Sequence, residues 1–273
     1  MRIVIAPDSF TGSSSAPAAA RAIAEGWREV RPGDEILELP QADGGVGTRE
    51  VVAANAPDGV TREAGEVTGA DGRPVPGRWL ELPGGVALVE LAECSGLPLM
   101  AAPDPLGATT RGLGEVIGRA LDAGATAIRI GLGGSGSTDG GAGALSALGA
   151  RLLDADGHEL PDGGAALARL AAVDLAGLRP PPAEVTLWCD VEAPLTGPRG
   201  AAAVFGPQKG ATPDDIRILD AALERFAGLL GGDPTAPGAG AAGGTAYGLL
   251  AAWGAVIRSG AEAVAALTGL VDA

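Results

Sequence analysis

The chain has 273 residues, which is enough to bury a sizeable core in one large domain or two. Its formal net charge of −15 argues against a nucleic-acid partner and against binding to an anionic membrane surface, because both attract basic proteins. With two cysteines, no Cys/His cluster, and no segment typical of a signal peptide or a transmembrane helix, the sequence does not predict a zinc site and indicates the cytoplasm.

The first 60 residues predict two strand–loop–helix units in succession. A strand at residues 2–7 precedes a polar loop and a helix at 16–30. A strand at 35–39 precedes a second loop and a helix at 49–55. This βαβ order is typical of an α/β sheet.

The pattern changes between residues 60 and 93, where short alternating runs are separated by tight turns. Antiparallel strands are predicted at 60–68, 75–82 and 86–90. We interpret the change as the start of a second domain. The rest of that domain is predicted to contain helices at 110–123, 142–153, 212–230 and 245–253, strands at 127–132 and 185–189, and a final short helix at 260–267.

A glycine-rich loop at residues 133–141 is the strongest local signal for a binding site. It follows a predicted strand and begins a helix, where backbone N–H groups and the helix dipole favour an anion. The hydroxyls of Ser135, Ser137 and Thr138 add hydrogen-bond donors. The sequence therefore predicts an anion site. A tight turn with Thr138 or Asp139 as the helix cap is the alternative.

Three aspartates lie at the carboxyl ends of predicted strands: Asp8 and Asp190 just after a strand, and Asp43 in the loop that follows one. The carboxyl ends of strands in open α/β sheets face the ligand crevice, so these carboxylates are candidates for chemistry as well as ordinary turn residues. Asp43 begins a second glycine-rich loop and could bind Mg²⁺ or accept from a substrate hydroxyl.

Lys209 is the single lysine among 19 basic residues. Retention of one compact ammonium in an arginine-rich chain suggests a role in binding phosphate or carboxylate, although a surface lysine is the alternative. Arg199 supplies a second cation in the same loop system.

Six blocks of sequence, taken in order, resemble the bacterial type I glycerate kinase family. They are residues 5–10, 42–45, 131–148, 190 with 194–197, 203–212 and 237–244. The resemblance implies an α/β fold with two domains and an active cleft between them. A Rossmann- or flavodoxin-like domain, incomplete here, is expected at 1–60 and 255–273, interrupted by a larger mixed-sheet domain at 61–254.

The resemblance also implies an activity, namely transfer of the ATP γ-phosphate to D-glycerate or a similar small hydroxy acid, with Mg²⁺. Carried onto this chain, it makes Asp8, Asp43, Asp190 and Lys209 the catalytic residues, with Asp43 and Asp190 as the metal ligands. The expected substrate- and phosphate-binding residues are Ser9, Gly44, Gly45, Thr48, Gly133, Gly134, Ser135, Ser137, Thr138, Asp139 and Arg199.

Two residues depart from the family pattern. Thr11 stands where the family usually has lysine, and Val46 stands where it usually has glutamate. Family members also continue into a polar segment beyond the last residue of this chain. Because phosphoryl transfer depends on positioned cations and carboxylates, we expect a reduced rate. We also expect the incomplete first domain to be covered by a second copy or another partner.

The departures leave two alternatives open. One is an enzyme of another class in the same cleft, such as a lyase, an isomerase or a cyclase that works without ATP. The other is a non-catalytic binding protein. Intact glycine loops argue against complete decay of the site.

Overall fold

The computed structural model describes residues 1–10 and 12–273. Thr11, the residue at which the family's usual lysine is absent, lies outside the described residues. In chain order the elements are β1 (Arg2–Ile5), α1 (Ala16–Val30), β2 (Glu35–Glu38), α2 (Thr48–Asn55), β3 (Val60–Thr68), β4 (Pro74–Leu82), β5 (Val86–Glu90), α3 (Ala92–Ser95), α4 (Arg111–Asp122), β6 (Ala127–Gly131), α5 (Ala142–Ala147), β7 (Arg151–Leu153), β8 (Ala172–Asp174), β9 (Glu184–Trp188), α6 (Ala201–Phe205), α7 (Pro213–Leu230), α8 (Thr245–Trp253), β10 (Val256–Arg258) and α9 (Gly260–Thr268).

A six-stranded mixed sheet organises the larger part of the chain, and this confirms the predicted α/β class. Its strand order is β10-β9-β6-β5-β4-β3. Strands β5, β6, β9 and β10 pair in parallel, whereas β4 is antiparallel to both of its neighbours, β5 and β3. The parallel register aligns Glu90, Gly131 and Trp188, the last residues of three neighbouring strands. The loops that follow these strands therefore begin at one edge of the sheet, where ligands of open α/β sheets bind.

Helices cover both faces of this sheet, so its central strands are apolar on both sides. In β5, Ala87 and Val89 pack into the cluster that contains α4, whereas Leu88 packs with α2 and α9 on the opposite face. Alternate residues of a strand point to opposite faces, which explains this division. The sheet is thereby a rigid support for the loops at its carboxyl edge.

The helix predicted over residues 142–153 is wrong in its second half. Helix α5 ends at Ala147, and Arg151–Leu153 forms strand β7, which pairs antiparallel with β8. Gly149 has φ of 103°, and a Cβ there would lie 2.3 Å from the carbonyl oxygen of Gly177. This contact between distant segments ends the helix. Strand β10, which the sequence did not predict, adds an edge to the main sheet.

Strands β1 and β2 form a separate two-stranded parallel sheet that packs on α1. Its apolar cluster is small, consisting of Ile5, Ala20 and Ala24 with partly buried neighbours. The domain boundaries at residues 60/61 and 254/255 stay predictions. Among the described residues, no helix combines the length and the apolar character needed to cross a lipid bilayer.

Apolar side chains remain exposed around this small sheet, and we propose that a second copy of the chain covers them. Val4 is 38% exposed and Ile23 is 44% exposed. Sedimentation at micromolar concentration is expected to give twice the mass of one chain, and Ile23→Glu is expected to shift it toward one chain. Ile218→Glu is the control, since Ile218 is 43% exposed on the distant helix α7. A wild-type monomer would contradict the proposal.

Candidate active site

A cavity of about 320 Å³ lies at the carboxyl edge of the main sheet. Its wall brings together three of the four predicted catalytic residues, Asp43, Asp190 and Lys209, although they are far apart in sequence. A larger groove of about 740 Å³ lies beside α4, and none of the predicted site residues lines it. The smaller cavity is lined by Asp43, Leu132, Gly133, Gly134, Ser135, Trp188, Cys189, Asp190, Val191, Phe205, Gln208, Lys209, Ala242 and Gly243.

The loop that carries Asp43 lies directly on the glycine-rich loop after β6. The Gly133 N–H donates to the Gly44 carbonyl at 3.1 Å, and a Cβ on Gly133 would lie 2.4 Å from the Cα of Gly45. Gly44 has φ of 91°, and a Cβ there would lie 2.7 Å from the Trp188 carbonyl oxygen. Only glycine allows these close approaches. Gly44 and Gly45 therefore serve contact between the two loops.

The carboxylates of Asp43 and Asp190 are both held by backbone N–H groups. The Gly45 N–H donates to Asp43 Oδ1 at 2.9 Å, and the Ala261 N–H donates to Asp190 Oδ2 at 3.0 Å. Ala261 lies in the first turn of α9, and a Cβ on Gly260 would lie 1.9 Å from the Asp43 carbonyl oxygen. The start of α9 therefore places both aspartates beside the cavity.

Lys209 is 2% exposed, which rules out the alternative of a surface lysine. Its ammonium donates to the Ser137 carbonyl, and no carboxylate among the described residues forms an ion pair with it. Burial lowers the pKa of Lys209 to about 8, against the opposing attraction of Asp139. An ammonium has three N–H donors, and among the described residues that of Lys209 makes one hydrogen bond. A buried, unpaired cation of this kind favours an anionic ligand.

The residues of the glycine-rich loop divide into two sets. Gly133, Gly134 and Ser135 line the cavity, whereas Ser137, Thr138 and Asp139 are fully buried and absent from its lining. The hydroxyls of Ser135 and Ser137 lie 3.2 Å apart, which connects the two sets. The anion-binding role predicted for this loop therefore has direct geometric support only for the first set.

Asp139 organises the backbone behind the cavity. Its Oδ2 accepts from the N–H and the hydroxyl of Thr110 at 2.9 and 2.8 Å and from the Gly143 N–H at 3.2 Å, and its Oδ1 accepts from the Gly141 N–H at 3.2 Å. Burial raises the pKa of Asp139. This arrangement agrees with the alternative of a turn and helix cap at this residue.

The remaining predicted residues lie away from the cavity lining. Thr48 is buried, and its hydroxyl donates to the Gly45 carbonyl at 2.7 Å, so it supports the Asp43 loop. Asp8, Ser9 and Arg199 do not line the cavity. Val46 is 50% exposed, and its side chain lies over Gly134 at the cavity rim.

Within the described residues, one group of three side chains has the spacing of a metal site, Asp154, Asp156 and His158. It lies in an exposed turn after β7, far from the cavity lining. His158 is 80% exposed in its side chain. None of the three residues lines the cavity.

Sequence reasoning missed Glu90, the last residue of β5. Glu90 is 2% exposed, and its Oε1 and Oε2 accept from the N–H groups of Gly47 and Arg49 at 2.8 and 2.9 Å. The rule that drew attention to aspartates at strand ends would have found this carboxylate too. Ala242, a cavity residue with φ of 53°, gave no such signal in the sequence.

Comparison with known proteins places this geometry in one family. The model of the glycerate kinase family matches residues 3–273. The chain is 46% identical to glycerate kinase of Bacillus subtilis, covering 97% of this chain and 71% of the relative. It is 45% identical to glycerate 2-kinase of Escherichia coli, covering 100% and 74%. A crystal structure from Salmonella typhimurium LT2, provisionally identified as glycerate kinase 2, superposes with a TM-score of 0.87 at 45% identity, covering 99% of this chain and 74% of that one.

Proposed function

The chain belongs to the glycerate kinase family and is an enzyme, and we propose that it transfers the γ-phosphate of ATP to D-glycerate or a similar small hydroxy acid. The observation that supports this most strongly is that Lys209, a buried cation with no ion-pair partner among the described residues, lines the same cavity as Asp43 and Asp190. The two free thiols, Cys94 and Cys189, agree with the cytoplasm as the proposed compartment.

The donor set of the cavity fits the metal and the nucleotide that this reaction uses. Asp43 and Asp190 offer carboxylate oxygens, the ligands that Mg²⁺ prefers, and are the residues that would hold the ion. Lys209 and the N–H group of Gly134 fit phosphate oxygens, whereas the Gly133 N–H is engaged by the Gly44 carbonyl. When bound, Mg²⁺–ATP supplies the phosphoryl group and neutralises part of its charge.

The residues of the chain position the acceptor and the charges around it. Oδ1 of Asp43 is engaged by the Gly45 N–H, which leaves Oδ2 to accept the proton of the substrate hydroxyl. The hydrogen bond to the Ser137 carbonyl fixes the orientation of the Lys209 ammonium, which attracts a carboxylate or phosphate oxygen. Leu132, Phe205 and Val191 add apolar walls that limit water in the cavity.

The pKa of Lys209 predicts opposite trends for activity and stability. Because the pKa is lowered to about 8, the ammonium loses its proton above that pH, and kcat/KM is expected to fall. Between about 8 and the ordinary value of 10.5, the unfolded chain binds more protons than the native protein at this side chain. The contribution of Lys209 to the free energy of unfolding therefore rises across that window.

A pH profile of kcat/KM, paired with urea unfolding of the wild type and of Lys209→Met, checks both trends. The difference in unfolding free energy between the two proteins should change with pH above about 8. A wild-type activity that stays constant to pH 10 would contradict a required ammonium.

Thermal unfolding with Mg²⁺–ATP, with D-glycerate, and with both tests the proposed function. Ligands that bind the native state raise the unfolding midpoint, because a ligand at 100 times its Kd adds about 2.7 kcal/mol to the free energy of unfolding. We expect a shift with millimolar Mg²⁺–ATP. A shift with glycerate and none with ATP would replace the kinase by an enzyme that works without ATP. No shift with any of them would favour the non-catalytic binding protein.

A further inference from the structure

We infer that Glu90 is a positioning residue that holds the Asp43 loop against the cavity. The segment concerned, residues 43–49, begins at Asp43 and ends in the first turn of α2. The catalytic consequence of this inference rests on the proposed function. Its structural consequence, the rigidity of residues 43–49, does not.

The two oxygens of Glu90 engage two different backbone donors of this segment. Oε1 accepts from the Gly47 N–H at 2.8 Å, and Oε2 accepts from the Arg49 N–H at 2.9 Å. These N–H groups belong to the start of α2, where intrahelical acceptors are lacking. Neither the N-cap residue, Gly47, nor any neighbouring side chain in the helix caps this end. Glu90 therefore takes the place of a local cap, although it lies 43 residues from Gly47 and 41 residues from Arg49 along the chain.

The same segment is held on its other side by the main sheet. The Gly133 N–H donates to the Gly44 carbonyl, and Gly44 lies against the Trp188 carbonyl. The ends of β5, β6 and β9 thus hold the segment at three adjacent points, Glu90, Gly133 and Trp188. Since Asp43 lines the cavity at the start of this segment, releasing one point changes where its carboxylate lies.

A carboxylate is the group that this position needs. A glutamine keeps one acceptor oxygen but presents an N–H₂ group to the second backbone N–H, so one hydrogen bond is lost and two donors face each other. A buried N–H without an acceptor costs about 1–3 kcal/mol. The positive end of the helix dipole adds a preference for negative charge at this point.

The groups around Glu90 shift its pKa in opposite directions. The pKa of Glu90 is raised to about 7, chiefly by burial. The N–H groups of Arg49 and Gly47 oppose this rise, Glu93 on α3 adds to it, and the charge of Arg49 on α2 opposes it. Glu93 itself is paired with Arg49 through two hydrogen bonds of 2.6 and 2.7 Å. Protonation of Glu90 near neutral pH turns one acceptor into a hydroxyl and loosens the same contacts that glutamine would remove.

Glu93 supplies the matched control. It lies three residues further along the chain on α3, is also a glutamate, and bonds to the Arg49 side chain and to no described backbone N–H of residues 43–49. Glu93→Gln therefore alters the local charge and one ion pair while leaving the cap of α2 in place. A purely electrostatic effect would appear in both variants.

Amide hydrogen exchange of wild type, Glu90→Gln and Glu93→Gln tests the structural part. We expect exchange in residues 43–49 to become about tenfold faster or more in Glu90→Gln, and to change less than about twofold in Glu93→Gln. Equal protection in all three proteins would overturn the inference. If Glu90→Gln does not fold, the wild type decides: intrinsic-rate-corrected exchange of this segment should rise as the pH falls from about 8 to 6, and a constant value would overturn the inference.

Steady-state kinetics with D-glycerate and Mg²⁺–ATP test the catalytic part. Glu90→Gln should lower kcat about tenfold with KM for both substrates nearly unchanged. We expect the wild-type activity to fall as the pH drops below about 7, and Glu90→Gln should lack this fall. A wild-type kcat in Glu90→Gln would overturn the positioning role. Absence of activity in the wild type itself would refute the proposed function, whereas the exchange experiment would still decide the role of Glu90.

Discussion

Replacing Lys209 with methionine is expected to lower kcat/KM for ATP-dependent phosphorylation of D-glycerate by about 10²–10³-fold, the usual effect of removing one preorganised donor to a developing negative charge. Lys209 is buried and is the one cationic residue among the described residues that line the cavity, so no neighbouring cation can replace it. Methionine has a similar length and needs no charge partner, and the native fold should therefore be retained.

Steady-state kinetics of Lys209→Met and of Arg217→Met measure this effect. Arg217 is an exposed cation of α7, with 75% of its side chain accessible, and its loss should leave kcat/KM unchanged. Thermal unfolding of both variants shows whether they are folded. A folded Lys209→Met with wild-type kcat/KM would remove Lys209 from the proposed mechanism.

The largest expected effect on stability comes from Asp139→Ala. Four donors, two from Thr110 and one each from Gly141 and Gly143, lose their acceptor, and each unsatisfied donor costs about 1–3 kcal/mol. Removal of a carboxylate whose pKa is raised by burial offsets part of this loss. We expect the free energy of unfolding to fall by about 3–5 kcal/mol.

Urea unfolding of wild type, Asp139→Ala and Asp58→Ala measures the difference. Asp58 is exposed and its side chain forms no hydrogen bond with the described part of the chain, so its replacement should change the free energy of unfolding by less than about 0.5 kcal/mol. If Asp139→Ala loses less than about 1 kcal/mol, water or backbone rearrangement satisfies the four donors, and Asp139 does not organise the loop as described.

Local signals explain which elements could be predicted from the sequence. Strands β3 and β5 have the predicted bounds because alternation and flanking glycines are encoded within each segment. Helix α5 was extended too far because its end depends on a contact between Gly149 and Gly177, which are distant in sequence. Strand β10 has three residues, too few for a periodic pattern.

The site shows the same division between local and distant information. Asp43, Asp190 and Lys209 were predicted as site residues and do line one cavity. Strand-end reasoning explains Asp190, which follows β9 at the carboxyl edge of the main sheet, whereas Asp43 follows β2 of the small sheet and Lys209 follows α6. The burial of Lys209 and its single bond to Ser137 could not be predicted, because they arise from packing of distant loops. The capping role of Glu90 was likewise hidden, since its partners belong to another loop.

The most direct test of the central claim is ³¹P NMR of the purified protein with Mg²⁺, ATP and D-glycerate. We expect ADP and a phosphoglycerate signal to appear together, in equal amounts and only when glycerate is present, and Lys209→Met to abolish both. Formation of ADP without a phosphorylated product, or no consumption of ATP by a folded wild-type protein, would contradict the assignment of this cavity as a glycerate kinase active site.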